Sequence, residues 1–351
     1  MNLDDTTRFA AMDPANMLAE IDGLPDQLGA AWKLGQQFDL PDFKGVRQIL
    51  IAGMGGSAIG ADLLAAYIEP LCQVPVFIQR DYTMPAWAAG EQTLVIASSH
   101  SGDTEETLSV LEQARQAGCR VLALTTGGRL AESAREAGVP LWQFQHDGQP
   151  RAAVGFSFGL LLALFARLGF VPDPEAELNS ALVAMRVQQG TLLANVPAVQ
   201  NPAKRQAGQM VGRWVVVIGS GLLGPVARRF KTQVNELAKA WGQFDTLPEA
   251  DHNTLVGVDY PEELLTKALV IFLRSPSDHP RNRLRSELTQ QSFMLAGLGT
   301  DVYHARGETR LAQLWTALHY ADYTAYYLAM AYGVDPTPVP AISSLKDAMR
   351  L

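Results

Sequence analysis

The run Ile49-Leu50-Ile51-Ala52 ends directly in Gly53-Met54-Gly55-Gly56-Ser57, and helix-like sequence follows over residues 58–68. A short unbroken apolar strand, a tight glycine turn and a helix, in that order, constrain the fold more than any other feature of the chain. Such a strand must be covered on both faces, as in a parallel sheet. The same order returns at Trp214-Val215-Val216-Val217-Ile218, with Gly219-Ser220-Gly221 and a helix predicted over 225–241. Further apolar runs occupy 74–78, 93–97, 120–124, 268–273 and 301–304, with helical stretches such as 104–118 and 281–298 between them. Strands alternating with helices predict an α/β fold of flavodoxin-like type, each domain a parallel sheet flanked by helices in three α/β/α layers. The two opening glycines stand at 53 and 219, an offset of 166 residues. That is the size of a duplicated domain and far too long for a solenoid repeat.

The segments expected from this plan are a helical arm over 1–45, a first α/β domain over 46–170, a helical linker over 171–209, a second domain over 210–334 and a tail over 335–351. Met17, Leu18, Ile21, Leu24, Leu28, Trp32 and Leu34 give the arm its helical spacing. Prolines 172, 174, 197 and 202 punctuate the linker, and prolines 336, 338 and 340 extend the tail before a last helix over 341–350. A chain of 351 residues, 48% apolar and 18% charged, can fill two cores. Its net charge of −8 and pI near 5.3 argue against a nucleic-acid or anionic-membrane partner, either of which needs a broad cationic face. Cys72 and Cys119 form no CxxC pair, so neither a disulfide framework nor a cysteine-based metal site is expected. The start Met1-Asn2-Leu3-Asp4-Asp5 lacks the basic and apolar regions of a signal peptide, and the apolar stretch 154–170, broken by Gly159 and Arg167, reads as a buried helix. A reducing cytoplasm fits these features.

Gly53-Met54-Gly55-Gly56-Ser57-Ala58 satisfies GxGxxA and Gly219-Ser220-Gly221-Leu222-Leu223-Gly224 satisfies GxGxxG. Glycines after a strand serve any phosphate docked at a helix N-terminus, and they serve plain tight packing equally well. A dinucleotide site also wants an acid at the end of the second strand, where this chain has the ambiguous Gln79-Arg80-Asp81. No Lys-Ser/Thr pair follows either turn, which excludes a Walker loop. More informative is the segment 98–107, Ser-Ser-His-Ser-Gly-Asp-Thr-Glu-Glu-Thr, between a strand and a helix. One hydroxyl suffices for a helix cap. Ser98, Ser99, Ser101 and Thr104 together, with Ser57 nearby, make a pocket for a phosphate monoester.

The phrases Gly53-Met54-Gly55-Gly56-Ser57-Ala58-Ile59-Gly60 and Ser99-His100-Ser101-Gly102-Asp103-Thr104, the Pro150-Arg151 step, Asn235-Glu236-Leu237-Ala238 and Pro248-Glu249-Ala250-Asp251-His252-Asn253 together resemble the bifunctional phosphoglucose/phosphomannose isomerases. The similarity runs in order over the chain beyond the N-terminal arm. It implies two tandem sugar-isomerase (SIS) domains, a sugar-phosphate substrate, and interconversion of glucose 6-phosphate or mannose 6-phosphate with fructose 6-phosphate through a cis-enediolate, with no cofactor and no metal. The family's loop usually reads Ser-Tyr-Ser-Gly-Asn-Thr, so His100 and Asp103 are departures. A carboxylate beside a phosphate repels it unless the side chain turns away or caps a helix.

The resemblance assigns the phosphate to Gly55, Gly56, Ser57, Ser99, Ser101 and Thr104. It makes Glu236 the base that moves a proton between C1 and C2. His252 assists ring opening across a dimer interface, and Arg151 and Lys346 stabilise negative charge on the substrate oxygens. A homodimer with shared active sites follows. Read alone, Glu236 and Lys346 are ordinary solvated helix residues and His252 an ordinary loop histidine. The competing readings are a non-catalytic sugar-phosphate sensor, an NAD-dependent oxidoreductase, and another SIS enzyme such as a pentose-phosphate isomerase or an amidotransferase.

Overall fold

The structure, a computed structural model, describes residues 2–349. They divide into two compact units, one of Gly23–Leu182 and one of the residues up to Asp22 together with those from Val183 onward. The predicted arm over 1–45 therefore contributes to both units, and the linker over 171–209 divides at Leu182. Two short helices open the chain, α1 (Thr7–Met12) and α2 (Met17–Asp22), and belong to the second unit.

In the Gly23–Leu182 unit, α3 (Leu24–Gln37) precedes β1 (Gln48–Ala52), α4 (Gly55–Ile68), β2 (Val76–Gln79) and β3 (Thr93–Ser99). Then come α5 (Glu105–Gln116), β4 (Arg120–Thr125), α6 (Gly128–Glu136), β5 (Leu141–Gln143) and α7 (Val154–Arg167). The five strands are all parallel, in the order β2-β1-β3-β4-β5. Right-handed crossovers that leave β1 and β3 in opposite directions put α4 and α5 on opposite faces of the sheet. All seven residues of β3 are buried, as a central strand covered on both sides requires. Leu50, Val95, Val110, Leu111, Ala123 and Leu130 build the core on one side. Helix α7 is buried over most of its length, with α3 and α4 against it.

Helix α8 (Glu175–Gln189) spans the division between the units. The second unit continues with α9 (Pro202–Met210), β6 (Trp214–Ser220), α10 (Gly224–Glu236), β7 (Gly242–Leu247), α11 (Glu262–Leu265) and β8 (Ala268–Arg274). It ends with α12 (Pro280–Leu295), β9 (Gly299–His304), α13 (Arg310–Tyr332) and α14 (Pro340–Met349). Its parallel order, β7-β6-β8-β9, repeats the first four strands of the other sheet. Leu311 through Met330 of α13 are buried without interruption, so the helix's polar side chains need internal partners. Asp322 has them: Arg229 donates from Nε at 3.0 Å and Nη2 at 2.6 Å, and Gln233 donates at 3.0 Å. Arg350, the last residue of the predicted terminal helix, lies outside the described residues.

The helix predicted over 225–241 stops at Glu236. Lys239 takes a left-handed φ of +54°, and Asn235 Nδ2 donates to the Ala240 carbonyl at 2.7 Å, which closes the helix end and frees the chain to enter β7.

Candidate active site

A sheet with the order 2-1-3 reverses its winding between β1 and β3, and the crevice beyond the carboxyl ends of those strands is where open α/β folds take ligands. The glycine turn follows β1 and the serine loop follows β3, so both predicted phosphate elements fall at this point. Gly55 begins α4 with φ +50° and is exposed, placing the first unpaired N–H groups of the helix at the mouth of the crevice. Gly56 is required by a close approach. A Cβ there would lie 2.5 Å from the carbonyl oxygen of Pro150 and 3.4 Å from Cα of Arg151, which stands on a short 3-10 turn at Pro150–Ala152. Arg151 is thereby fixed beside the glycine turn, 5% exposed, with Nη1 donating to Gln149 Oε1 at 3.5 Å.

The hydroxyls are organised around one another. Ser57 Oγ accepts the His100 N–H at 3.2 Å, which leaves its own proton to donate. Ser99 Oγ accepts the Gly102 N–H at 3.1 Å and lies 2.9 Å from Thr104 Oγ1. Thr104 occupies the N-cap position of α5, yet its side chain makes no cap hydrogen bond. Capping therefore does not account for its hydroxyl. Ser101, exposed, accepts the Asp103 N–H at 3.3 Å. Gly102, at φ +74°, packs so closely on the next loop that a Cβ would stand 1.8 Å from the Gly127 oxygen. Leu130 N–H donates to the Gly102 carbonyl at 2.9 Å and Thr126 N–H to that of His100 at 3.1 Å, tying the loop to the β4–α6 connection.

Asp103 turns away from the cradle. Its Oδ1 accepts from the Arg129 N–H at 3.2 Å and from Arg129 Nε at 3.3 Å, at the start of α6. The other departure, His100, brings in a residue that sequence reading missed: its Nε2 lies 2.9 Å from Nδ1 of His146, beyond β5. His146 packs edge-on to Phe156, which stacks on Phe144. No motif surrounds His146, and the three-residue β5 that positions it carries too little periodicity to be seen in the sequence.

The end of β2, where a dinucleotide site would have its ribose acid, is used otherwise. Arg80 is bonded to Asp62 of α4 and to the Ala58 carbonyl. The second glycine loop is likewise engaged, its Ser220 hydrogen-bonded to the Asp278 carboxyl in the loop after β8. Ser275 donates its N–H to Asp278 Oδ2 at 3.0 Å and its hydroxyl to Gln313 Oε1 at 2.5 Å. Burial pushes the Asp278 carboxyl up, against the opposing pull of the Ser275 N–H, Ser220, Arg283 and Arg310.

Glu236, His252 and Lys346 all belong to the second unit. Glu236 is the last residue of α10 and half-buried, with Leu237 and Ala238 buried beyond it. His252 is exposed on a 3-10 turn (Glu249–His252) whose Asp251 accepts from Arg285 Nη1 at 2.8 Å and Thr289 Oγ1 at 2.7 Å of α12. Lys346 is exposed on α14. Strand β7 separates the first two: Glu236 precedes its amino end and His252 follows its carboxyl end.

Two parallel sheets of one plan, the first carrying hydroxyls and backbone N–H groups at its winding reversal, define a tandem sugar-isomerase-domain protein. The SIS family profile matches residues 42–137, and the profile of the bacterial phospho-glucose isomerase C-terminal SIS domain matches residues 199–349. The chain belongs to the bifunctional phosphoglucose/phosphomannose isomerase family. It is 34% identical over 335 residues to the family member of Caldicellulosiruptor bescii, covering 95% of this chain and 98% of that one. It is 33% identical over 313 residues to that of Aquifex aeolicus, covering 89% and 92%. The fold also matches the C-terminal domain of glucosamine-fructose-6-phosphate aminotransferase from Francisella tularensis, with a TM-score of 0.72 at 14% identity over 92% of this chain and 97% of that one.

Proposed function

We propose that this protein is an aldose–ketose isomerase that interconverts glucose 6-phosphate and mannose 6-phosphate with fructose 6-phosphate. The observation that carries the reading is the hydroxyl cluster of Ser57, Ser99 and Thr104 around the glycine turn, in a chain whose relatives over nearly its full length carry that name. Gly55 and Gly56 offer backbone N–H groups to the phosphate, and Ser57, Ser99, Ser101 and Thr104 offer hydroxyls. Glu236 takes the proton from C2 of the open-chain aldose and returns it to C1, passing through a cis-enediolate. The reverse transfer, from C1 to either face of C2, gives the two epimeric aldoses. The sugar's own carbons exchange oxidation state, so atoms and electrons balance within the substrate. Arg151 and Lys346 oppose the charge that develops on the enediolate oxygens, and His252 moves the proton that opens the ring.

On the family resemblance, the reading has His252 serve Glu236 of a second copy. The working form is then a homodimer with shared sites, in a reducing cytoplasm. No described helix is long and apolar enough to cross a membrane.

The test is a coupled assay of fructose 6-phosphate conversion. Wild-type protein forms both aldoses, and Glu236→Gln loses about 10²–10⁴-fold in kcat while staying folded. Folded protein that makes neither aldose is instead a sugar-phosphate sensor. Mixing Glu236→Gln with His252→Ala copies tests sharing: half of the assembled dimers hold one intact site, so activity returns to about a quarter of wild type.

A further inference from the structure

The two sheets carry one aspartate at matching positions. Ala52, just before Gly53, lies beside Ala97 of β3, and Ile218, just before Gly219, lies beside Phe272 of β8. The sixth residue after Ala97 is Asp103, and the sixth after Phe272 is Asp278. Each stands immediately before the N-cap of the next helix, Thr104 for α5 and His279 for α12. Their side chains nevertheless go opposite ways. Asp103 is exposed and accepts from the N–H and Nε of Arg129. Asp278, 8% exposed, turns back into its own crevice: Oδ2 accepts the Ser275 N–H at 3.0 Å, and the carboxyl is bonded to Ser220 of the glycine loop. The counterpart of Ser275 is His100, whose N–H goes to Ser57 Oγ instead. A carboxylate of the chain thus closes the second crevice, on N–H and hydroxyl donors of the kind that the first crevice leaves for a ligand.

The connection after the next strand accounts for the difference. Ala97 pairs with Ala123 of β4, and Phe272 pairs with Val302 of β9. The sixth residue after Ala123 is Arg129, and the sixth after Val302 is Glu308. Each follows a glycine with left-handed φ, +65° at Gly128 and +95° at Gly307, so the two connections correspond. The cation that draws Asp103 outward is therefore replaced in the second unit by an acid, which repels the matching carboxylate. The positive charge that reaches Asp278 comes from Arg283 and Arg310 instead. We propose that Arg129 is a positioning residue of the phosphate cradle: it holds Asp103 outward and so keeps an internal carboxylate from closing the first crevice as Asp278 closes the second. This rests on the phosphate assignment and deepens it, because affinity for the substrate's phosphate then depends on a residue that acts only through Asp103.

The experiment uses the full chain. Calorimetric titration with fructose 6-phosphate reads affinity without relying on turnover, and the coupled assay adds KM and kcat. Arg129→Met keeps the length of the side chain and removes its charge. It is expected to raise Kd and KM together, each about tenfold, as Asp103 turns inward, with kcat within about twofold of wild type. Adding Asp103→Asn to Arg129→Met returns both constants to within about twofold of wild type, because a neutral amide does not repel a dianion. Circular dichroism melts within a few degrees of wild type establish folding, as expected for an ion pair more than half exposed. A double variant as impaired as Arg129→Met overturns the inference and makes Arg129 a direct charge partner of the substrate. Wild-type constants in Arg129→Met overturn it as well. Thr104→Ala keeps this idea apart from the phosphate reading. Weaker binding in Thr104→Ala but not in Arg129→Met rejects the role of Arg129 alone, whereas unchanged binding in both rejects the phosphate assignment and the role together.

Discussion

The Asp103 carboxylate accepts from both the backbone N–H and the guanidinium of Arg129, and so points out of the loop whose hydroxyls face the cradle. A carboxylate free to face a bound phosphate would repel it; one held at the start of α6 meets an N–H dipole and a cation instead. Asp103→Asn is therefore expected to leave KM for fructose 6-phosphate within about twofold. It should lower stability by less than about 1 kcal/mol, because the ion pair is more than half exposed. Steady-state kinetics with a urea titration check both.

The pairing of Ser99 with Thr104 makes the opposite prediction. Removing one hydroxyl from a charge-accepting cradle costs about 1.5–3 kcal/mol of binding, so Thr104→Ala and Ser57→Ala should each raise KM about tenfold or more. Valine at 104 matches threonine in shape without the hydroxyl and should behave like alanine. An unchanged KM in both alanine variants removes the phosphate assignment.

Within α13, Asp322 is almost wholly buried against Arg229, itself 2% exposed. Burial raises the Asp322 carboxyl, and the Arg229 guanidinium pulls it back. Asp322→Ala leaves a buried cation without this counter-charge and should cost about 3–5 kcal/mol. Replacing both residues by apolar ones of similar volume should cost much less. Thermal melts of the single and double variants give the comparison.

His319 sits fully buried with Nε2 2.8 Å from the Ile21 carbonyl, and burial lowers its pKa from 6.5 to about 4. Below pH 6.5 the unfolded chain binds a proton that the folded chain refuses. Stability is therefore whole above 6.5 and falls as the pH drops towards about 4, by on the order of 3 kcal/mol. His319→Gln, which can still donate to Ile21 but cannot titrate in this range, should flatten that part of the curve. Chemical denaturation at pH 7, 6 and 5 measures it.

The central strands were legible because β1, β3, β6 and β8 are buried on both sides and read as unbroken apolar runs. Strand β7, Gly-Gln-Phe-Asp-Thr-Leu, lies at a sheet edge and exposes enough backbone to tolerate polar residues, so nothing in its pattern announces it. Helix ends were misjudged where side-chain bonds set them, as at Asn235. The loop after β3 was readable as a density of hydroxyls. What Asp103 and His100 do there was not, because their partners, Arg129 and His146, are neighbours only through the sheet.

The contact between Gly56 and Pro150 bears on how such a chain can change over time. Any side chain at 56 must displace the turn that carries Arg151, so on the proposed roles a single substitution disturbs phosphate anchoring and the cation together. Drift at this one position cannot trade affinity against turnover in small steps. The two are inherited as a unit, and Gly56→Ala is a test of that linkage in which KM and kcat worsen at once.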